Sequence, residues 1–125
     1  MDPAVDALAR QVVDAALRVH KTLGPGLLES VYETCLHHEL TKRGIACRRQ
    51  VPVPVIYDGI RLEANLRLDL LVGDAVVVEV KSAESHSPVF EAQLLTYLKL
   101  TGCRLGLLVN FNVPLIKNGI RRMIL

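Results

Sequence analysis

The feature that most constrains the fold is a pair of consecutive β-patterned segments in the middle of the chain. From Ile60 to Leu70, apolar and polar residues alternate strictly, which predicts a strand with one buried face. After a turn, the valine-rich run from Ala75 to Lys81 has the pattern of a central strand whose inner part is buried on both faces. The two segments therefore predict a hairpin within a sheet. The alternating strand places these apolar residues on one face: Ile60, Leu62, Ala64, Leu66, Leu68 and Leu70.

Helical periodicity frames this hairpin on both sides. Apolar residues recur at three- and four-residue steps from Pro3 to Leu23, with Asp2 as N-cap, and again from Leu28 to Leu40. A third helix opens at Ser87-Pro88 and ends at Gly102. The sequence thus predicts two helices before the hairpin and one after it.

Further β-patterned segments lie outside the hairpin. The segment Ile45 to Ile56 contains Pro52 and Pro54, which remove two ladder donors and so predict an edge strand. Leu105 to Phe111 reads as a buried strand, and Gly119 to Leu125 as a further one. The element order is therefore α-α-β-β-β-α-β-β, which predicts an α/β protein with a mixed β-sheet flanked by helices.

Length and composition limit the classes of protein to consider. A chain of 125 residues, 50% of them hydrophobic, suffices for one core, so we expect a single domain over residues 1–125. No apolar run approaches the ~20 residues that cross a bilayer, and three widely spaced cysteines suggest reduced thiols, so we expect a cytoplasmic protein without membrane contact. The formal net charge of +2 neither demands nor excludes a nucleic-acid partner.

The hairpin also brings charged residues together. Glu79 and Lys81 are two residues apart on a strand, so they share a face. A three-residue loop at Gly73 to Ala75 places every apolar residue toward the core and Asp69 opposite Glu79. Two facing carboxylates repel, and a Mg²⁺ or Mn²⁺ ion between them would satisfy both. The full register pairs Leu70 with Val78, Asp69 with Glu79, Leu68 with Val80, and Arg67 with Lys81.

These residues resemble known motifs. Asp69 followed by Glu79-Val80-Lys81 resembles the PD-(D/E)XK nuclease pattern, and Gln93 with Tyr97 resembles the QxxxY motif of its RecB-like branch. The segment from Gly26 to Tyr32 further resembles the motif of the GxxExxY protein family, which is assigned to that superfamily. The resemblance spans nearly the whole chain and implies a restriction-endonuclease-like core. One departure is that Leu68 replaces the proline before the motif aspartate.

The resemblance also implies a set of metal ligands. Asp69 and Glu79 would bind Mg²⁺ or Mn²⁺, the carbonyl of Val80 would be a further ligand, and Glu29 would contribute from its helix. Hard oxygen donors of this kind suit both ions.

The remaining motif residues imply the chemistry. Lys81 would be the catalytic lysine, and Gln93 and Tyr97 would position the substrate or a metal-bound water. The implied function is a metal-dependent phosphodiesterase, a deoxyribonuclease in which metal-bound water attacks the phosphate and Lys81 assists.

Structural alternatives stand beside these assignments. The trio Asp69, Glu79 and Lys81 could be a salt-bridge group on a solvated face, and Glu29 could complement the helix dipole. Tyr32 and Tyr97 could be core residues, while His86 could approach the site from the start of the third helix. Several arginines could form a phosphate-binding surface: Arg48, Arg49, Arg61, Arg67, Arg121 and Arg122.

A second function from another class remains open. The chain could be a non-catalytic module, binding nucleic acid or protein in a regulatory role, that keeps the nuclease-like fold. A homodimer could form through the proline-containing edge strand or the first helix.

Overall fold

A mixed β-sheet lies between two layers of helices in the computed structural model, which describes residues 1–63 and 66–125. The helices are α1 (Pro3–Leu23), α2 (Glu29–Lys42) and α3 (Pro88–Thr101), and the strands are β1 (Cys47–Tyr57), β2 (Ile60–Val72), β3 (Val76–Lys81), β4 (Leu105–Asn110) and β5 (Ile120–Ile124). Within the described residues the five strands follow the spatial order β1-β2-β3-β4-β5. The predicted element order, the central position of β3 and the edge position of β1 are confirmed.

The connections explain why the sheet is mixed. The pairs β1–β2, β2–β3 and β4–β5 are antiparallel, whereas β3 and β4 are parallel and are joined by the crossover helix α3. A short 3₁₀ helix, Ile116–Gly119, precedes β5 and was not predicted. Its single turn is too short to produce a recognisable apolar period.

Local signals at the helix ends act as predicted. The Asp2 carboxylate accepts a hydrogen bond from the backbone N–H of Ala4 at 2.8 Å, directly before Pro3. Ser87 caps α3, and Gly102 ends that helix with a φ of +77°, which favours glycine.

Each face of the sheet carries its own apolar cluster. The helices α1 and α2 pack on one face and α3 packs on the other. The first cluster includes Val12, Leu36, Val78, Val80 and Val109, and the second includes Val53, Val77, Leu94, Leu98 and Leu108. Since β3 contributes to both clusters, its valine-rich sequence is explained by burial on two sides.

The prediction that the apolar residues of β2 share one face is wrong. Leu70 packs in the cluster beneath α1 and α2, whereas Leu68 packs in the cluster beneath α3. The switch coincides with Gln50, which has a φ of +50° and lies in β1 between the residues paired with Leu70 and Leu68. A left-handed residue in a strand breaks the regular pleat. Ala64, assigned to the same face, lies outside the described residues.

The register between β2 and β3 is confirmed only in part. Leu70 pairs with Val78 as predicted, but the ladder comprises three pairs and stops there. Among the described residues, the other predicted pairs are therefore absent from the ladder: Asp69 with Glu79, Leu68 with Val80, and Arg67 with Lys81. Leu68 and Val80 instead face opposite clusters. The strands separate beyond Leu70, at the position of Asp69.

Two smaller expectations concern the thiols and membranes. The thiols of Cys35, Cys47 and Cys103 are all free. Across residues 1–63 and 66–125, no helix combines the length and the apolar character that a membrane span requires.

Candidate active site

The point where β2 and β3 separate is occupied by the Asp69 carboxylate. Its Oδ2 atom accepts a hydrogen bond from the backbone N–H of Val80 at 2.8 Å, and the Asp69 N–H lies 3.4 Å from Oε1 of Glu79. The N–H and C=O groups of one strand residue leave along the same strand edge, so the Val80 carbonyl also faces this gap. Three oxygen-bearing groups thus converge where the ladder ends.

Glu79 is the buried member of this group. Its residue is only 3% exposed, because it lies on a central strand beneath α3. Burial, followed by the negative charge of Asp69, raises the pKa of Glu79 from 4.5 to about 9. Without a cation between the carboxylates, Glu79 therefore holds a proton at neutral pH.

The predicted lysine is connected to α3. Nζ of Lys81 donates to Oε1 of Gln93 at 3.1 Å, and Nε2 of Gln93 donates to the hydroxyl of Tyr97 at 3.2 Å. The same Nζ lies 4.8 Å from the centre of the Phe90 ring, within cation–π range. Burial, followed by the charge of Glu79, raises the pKa of Tyr97. The structure thus brings Asp69 and Glu79 together with these three motif residues.

Sequence reasoning missed a second connection, from Asp69 to α2. Nε2 of Gln50 donates to Oε1 of Glu33 at 2.7 Å and lies 3.4 Å from Oδ1 of Asp69. Arg49 holds the other oxygen of Glu33 at 2.9 Å. The strand pattern gave no sign of this link, because it depends on the left-handed backbone at Gln50 and on contacts between distant segments.

The sequence of the chain is similar to that of a known protein family. A sequence profile described as the PD-(D/E)XK nuclease superfamily matches residues 6–123 of the chain. The protein belongs to the PD-(D/E)XK nuclease superfamily. This confirms the predicted superfamily and agrees with the restriction-endonuclease-like fold expected for it. No curated protein and no solved structure gives a significant match.

PD-(D/E)XK nucleases typically use divalent metal ions, so the fit of this donor set matters. Within residues 1–63 and 66–125, no cluster of three or more His, Cys, Asp or Glu side chains is arranged to hold a metal. The donors at this point are the carboxylates of Asp69 and Glu79 with the Val80 carbonyl. Mg²⁺ commonly binds through one or two carboxylates and keeps several waters. The donor set therefore fits a hard divalent cation.

Glu29 has a different position from the acid pair. It is exposed in the first turn of α2, and among the described contacts none joins it to Asp69 or Glu79. Its segment still lies near the site, because the carbonyl of Leu27 accepts a hydrogen bond from Ser82 Oγ at 2.6 Å. The role of Glu29 as a metal ligand in this PD-(D/E)XK protein stays a prediction, as does membership of the GxxExxY family.

Tyr32, the last residue of the motif beginning at Gly26, has contacts that match its structural alternative. Its hydroxyl donates to the carbonyl of Gly24 at 2.6 Å and accepts from the N–H of Leu27 at 3.1 Å. The ring is fully buried and stacks on Phe111 with 4.5 Å between centroids. Tyr32 therefore holds loop 24–27 in place.

His86 and the scattered arginines lie outside the acid pair. His86 pairs with Glu91 at 2.7 Å, and its ring packs edge-on against Phe90, the ring beneath Lys81. Several arginines are held in ion pairs: Arg48 with Asp74, Arg49 with Glu33, Arg121 with Glu91, and Arg122 with Asp6. These pairs support structural roles for those four arginines.

Proposed function

We propose that this PD-(D/E)XK protein is a metal-dependent phosphodiesterase that cleaves DNA. The observation that carries the proposal is the adjacency of Asp69 to a buried Glu79 at the end of the β2–β3 ladder, with Lys81 on the same strand. Two adjacent carboxylates, one of them buried, destabilise each other unless a proton or a cation lies between them. A Mg²⁺ or Mn²⁺ ion bound between the two carboxylates would offset their repulsion.

Each residue has a specific task in the proposed reaction. Asp69, Glu79 and the Val80 carbonyl would hold the ion, which would supply Lewis-acid polarisation of a phosphoryl oxygen. The ammonium group of Lys81 would offset negative charge that develops on the phosphate during attack by water.

The link to α3 gives that lysine a fixed direction. Gln93 holds Nζ from one side and Phe90 lies beneath it, so the charge stays near the acid pair. Tyr97 in turn orients the Gln93 amide. Gln93 and Tyr97 therefore act as positioning residues in this proposal, unless substrate contacts them directly.

The alternative is a non-catalytic module that binds nucleic acid or protein in a regulatory role. The small donor set favours it, since the described residues supply two carboxylates and no third ligating side chain. Such a module would keep the fold and bind its partner without cutting it.

Cleavage assays on labelled linear, circular and single-stranded DNA, with RNA for comparison, test the proposal. The protein is assayed with Mg²⁺ or Mn²⁺ beside Asp69→Asn and Lys81→Met, and the matched controls are Asp58→Asn at the β1–β2 turn and Lys99→Met near the end of α3. We expect metal-dependent cutting that falls roughly 100-fold or more in both site variants, a typical loss for a positioned catalytic group. Cutting of circular DNA would identify an endonuclease.

Two results would contradict the proposal. Equal cutting by the site variants and the controls would refute the catalytic roles assigned to Asp69 and Lys81. A folded wild-type protein that cuts none of these substrates with either metal, yet retains nucleic acid, would establish the binding module instead.

A further inference from the structure

A basic groove lies across loop 24–27 from the candidate active site. It encloses about 670 Å³ between α1, this loop and the segment that precedes β5. Basic side chains on its walls are Arg18, Lys21, Arg43 and Lys117, and two exposed leucines, Leu17 and Leu115, lie beside them. We call this surface the basic groove.

Basic side chains outnumber acidic ones on the walls of the basic groove. The whole chain has 15 basic and 13 acidic residues, whereas Asp14 is the acidic residue among four basic ones on these walls. Two of the four are paired, because Arg43 lies 2.7 Å from Asp14 and 3.4 Å from Glu39, and Arg18 lies 3.5 Å from Glu39. Among the described residues, neither Lys21 nor Lys117 has a carboxylate within ion-pair distance, and both are exposed. These two ammonium groups can therefore bind an anion.

Loop 24–27 forms a rim shared by the groove and the site. Gly24 and Pro25 line the groove, and the carbonyl of Leu27 bonds to Ser82, the residue after Lys81. Only Gly26 separates Pro25 from Leu27, and two consecutive Cα–Cα steps span at most about 8 Å. The hydroxyl of Tyr32 fixes this rim at both ends. A single extended polyanion could therefore occupy both sides of the rim.

We propose that the basic groove binds the phosphate backbone of the nucleic acid a few nucleotides from the phosphate held at Asp69 and Glu79. This inference rests on the proposed nuclease function. Phosphates of one strand follow each other at about 3.4 Å along the duplex axis, so a few nucleotides are enough to cross the width of the rim. Lys21 and Lys117 bind these phosphates, which positions the strand without reading its sequence.

Fluorescence anisotropy with a short labelled DNA duplex tests this proposal. The full chain is titrated in EDTA, so that nothing is cut, at several salt concentrations. The variants are the neutral double substitution Lys21→Gln with Lys117→Gln, and the control Lys99→Gln on α3. We expect the double variant to bind roughly 10-fold more weakly and its salt slope to fall by nearly two units, about 0.9 for each phosphate that is no longer neutralised. The control should bind like the wild type.

Other outcomes decide between occupants. Unchanged affinity and salt slope in the double variant would overturn the groove proposal. Binding of a labelled polyglutamate peptide that depends on both lysines, together with DNA binding that does not, would identify an acidic protein partner and overturn it as well.

The assay also separates this inference from the nuclease proposal. If the wild type cuts DNA and the double variant binds and cuts it equally well, the groove proposal alone is refuted. If DNA binding depends on the two lysines but the protein cuts no DNA, the nuclease proposal is refuted and the groove proposal is supported.

Discussion

Glu79 is the least exposed of the buried charged residues that the structure describes. A central strand buries it beneath α3, and Asp69 adds a second negative charge beside it. A carboxyl group in such a place stays neutral unless a cation compensates its charge. The same features that make the site suitable for a metal therefore make the metal-free protein sensitive to pH.

Glu79→Gln should remove this sensitivity. The folded-state pKa of about 9 lies above the reference 4.5, so the stabilisation from the protonated form is complete below pH 4.5 and is lost as the pH rises toward 9. In EDTA, urea midpoints of the wild type should fall across this window, and those of the variant should fall less. Parallel pH profiles of the urea midpoint for the wild type and the variant would show that the pKa of Glu79 is not raised in the folded protein.

Gln50 combines an unusual backbone with a useful side chain. Its φ of +50° is costly for a residue with a Cβ atom, and its amide lies between Glu33 and Asp69. Strain of this kind is commonly retained at functional sites. The residue therefore has a candidate role in positioning the Asp69 carboxylate.

Comparing Gln50→Gly with Gln50→Ala separates the backbone from the side chain. Glycine adopts this φ without steric cost, so the Gly variant should be about 1 kcal/mol more stable than the Ala variant in urea unfolding. Both variants lack the amide, and both should bind Mn²⁺ roughly 10-fold more weakly, as for other partners that orient metal ligands. Wild-type Mn²⁺ affinity in Gln50→Gly would exclude the positioning role.

At the scale of elements, caps and motifs were predictable and the strand geometry was not. Asp2 and Ser87 identified helix starts, because a cap depends on neighbouring residues alone. The switch of faces along β2 occurs instead beside one left-handed residue of β1, and nothing in the sequence distinguishes Gln50 from an ordinary strand residue. Alternation of apolar and polar residues predicts which sheet face a side chain lies on only where the strand pleat is regular.

The candidate site shows the same division. Gln93 and Tyr97 are one helical turn apart, so their alignment on α3 follows from helix geometry. The contact of Asp69 with Gln50 and Glu33 joins three elements, and such long-range contacts leave no periodic signal. Motif spacing therefore predicted the acid pair and its α3 partners but not their connection to α2.

Tyr32 connects helix α2 to the loop that borders the candidate site. Tyr32→Phe removes two hydrogen bonds to loop 24–27 while keeping the ring stacked on Phe111. We expect the free energy of unfolding to fall by about 1–3 kcal/mol and amide exchange at Leu27 to accelerate. Tyr57→Phe is the matched control, because Tyr57 is 73% exposed. Equal stability of the two variants would show that the hydroxyl does not hold the loop.

At the scale of the whole molecule, the three-layer fold places chemistry and charge on two sides of one rim. Lys81 contacts Gln93 of α3 and Asp69 lies in the gap between β2 and β3, while the basic groove lies against α1. The net charge of +2 does not reveal this distribution, because it is a sum over the whole chain, whereas Lys21 and Lys117 lie together on one surface. The two proposals, a cation site at the acid pair and a polyanion surface in the basic groove, therefore concern neighbouring parts of one PD-(D/E)XK fold.

The central claim is that Asp69 and Glu79 form a divalent-cation site, and Mn²⁺ binding tests it most directly. Free Mn²⁺ is followed by electron paramagnetic resonance for the wild type, Asp69→Asn and the control Asp58→Asn, each shown to be folded. We expect saturable binding by the wild type and the control, and binding weaker by more than roughly 10-fold in Asp69→Asn, because removing a ligand costs at least as much as removing an outer partner. Equal Mn²⁺ affinity in all three proteins would contradict the assignment of the site.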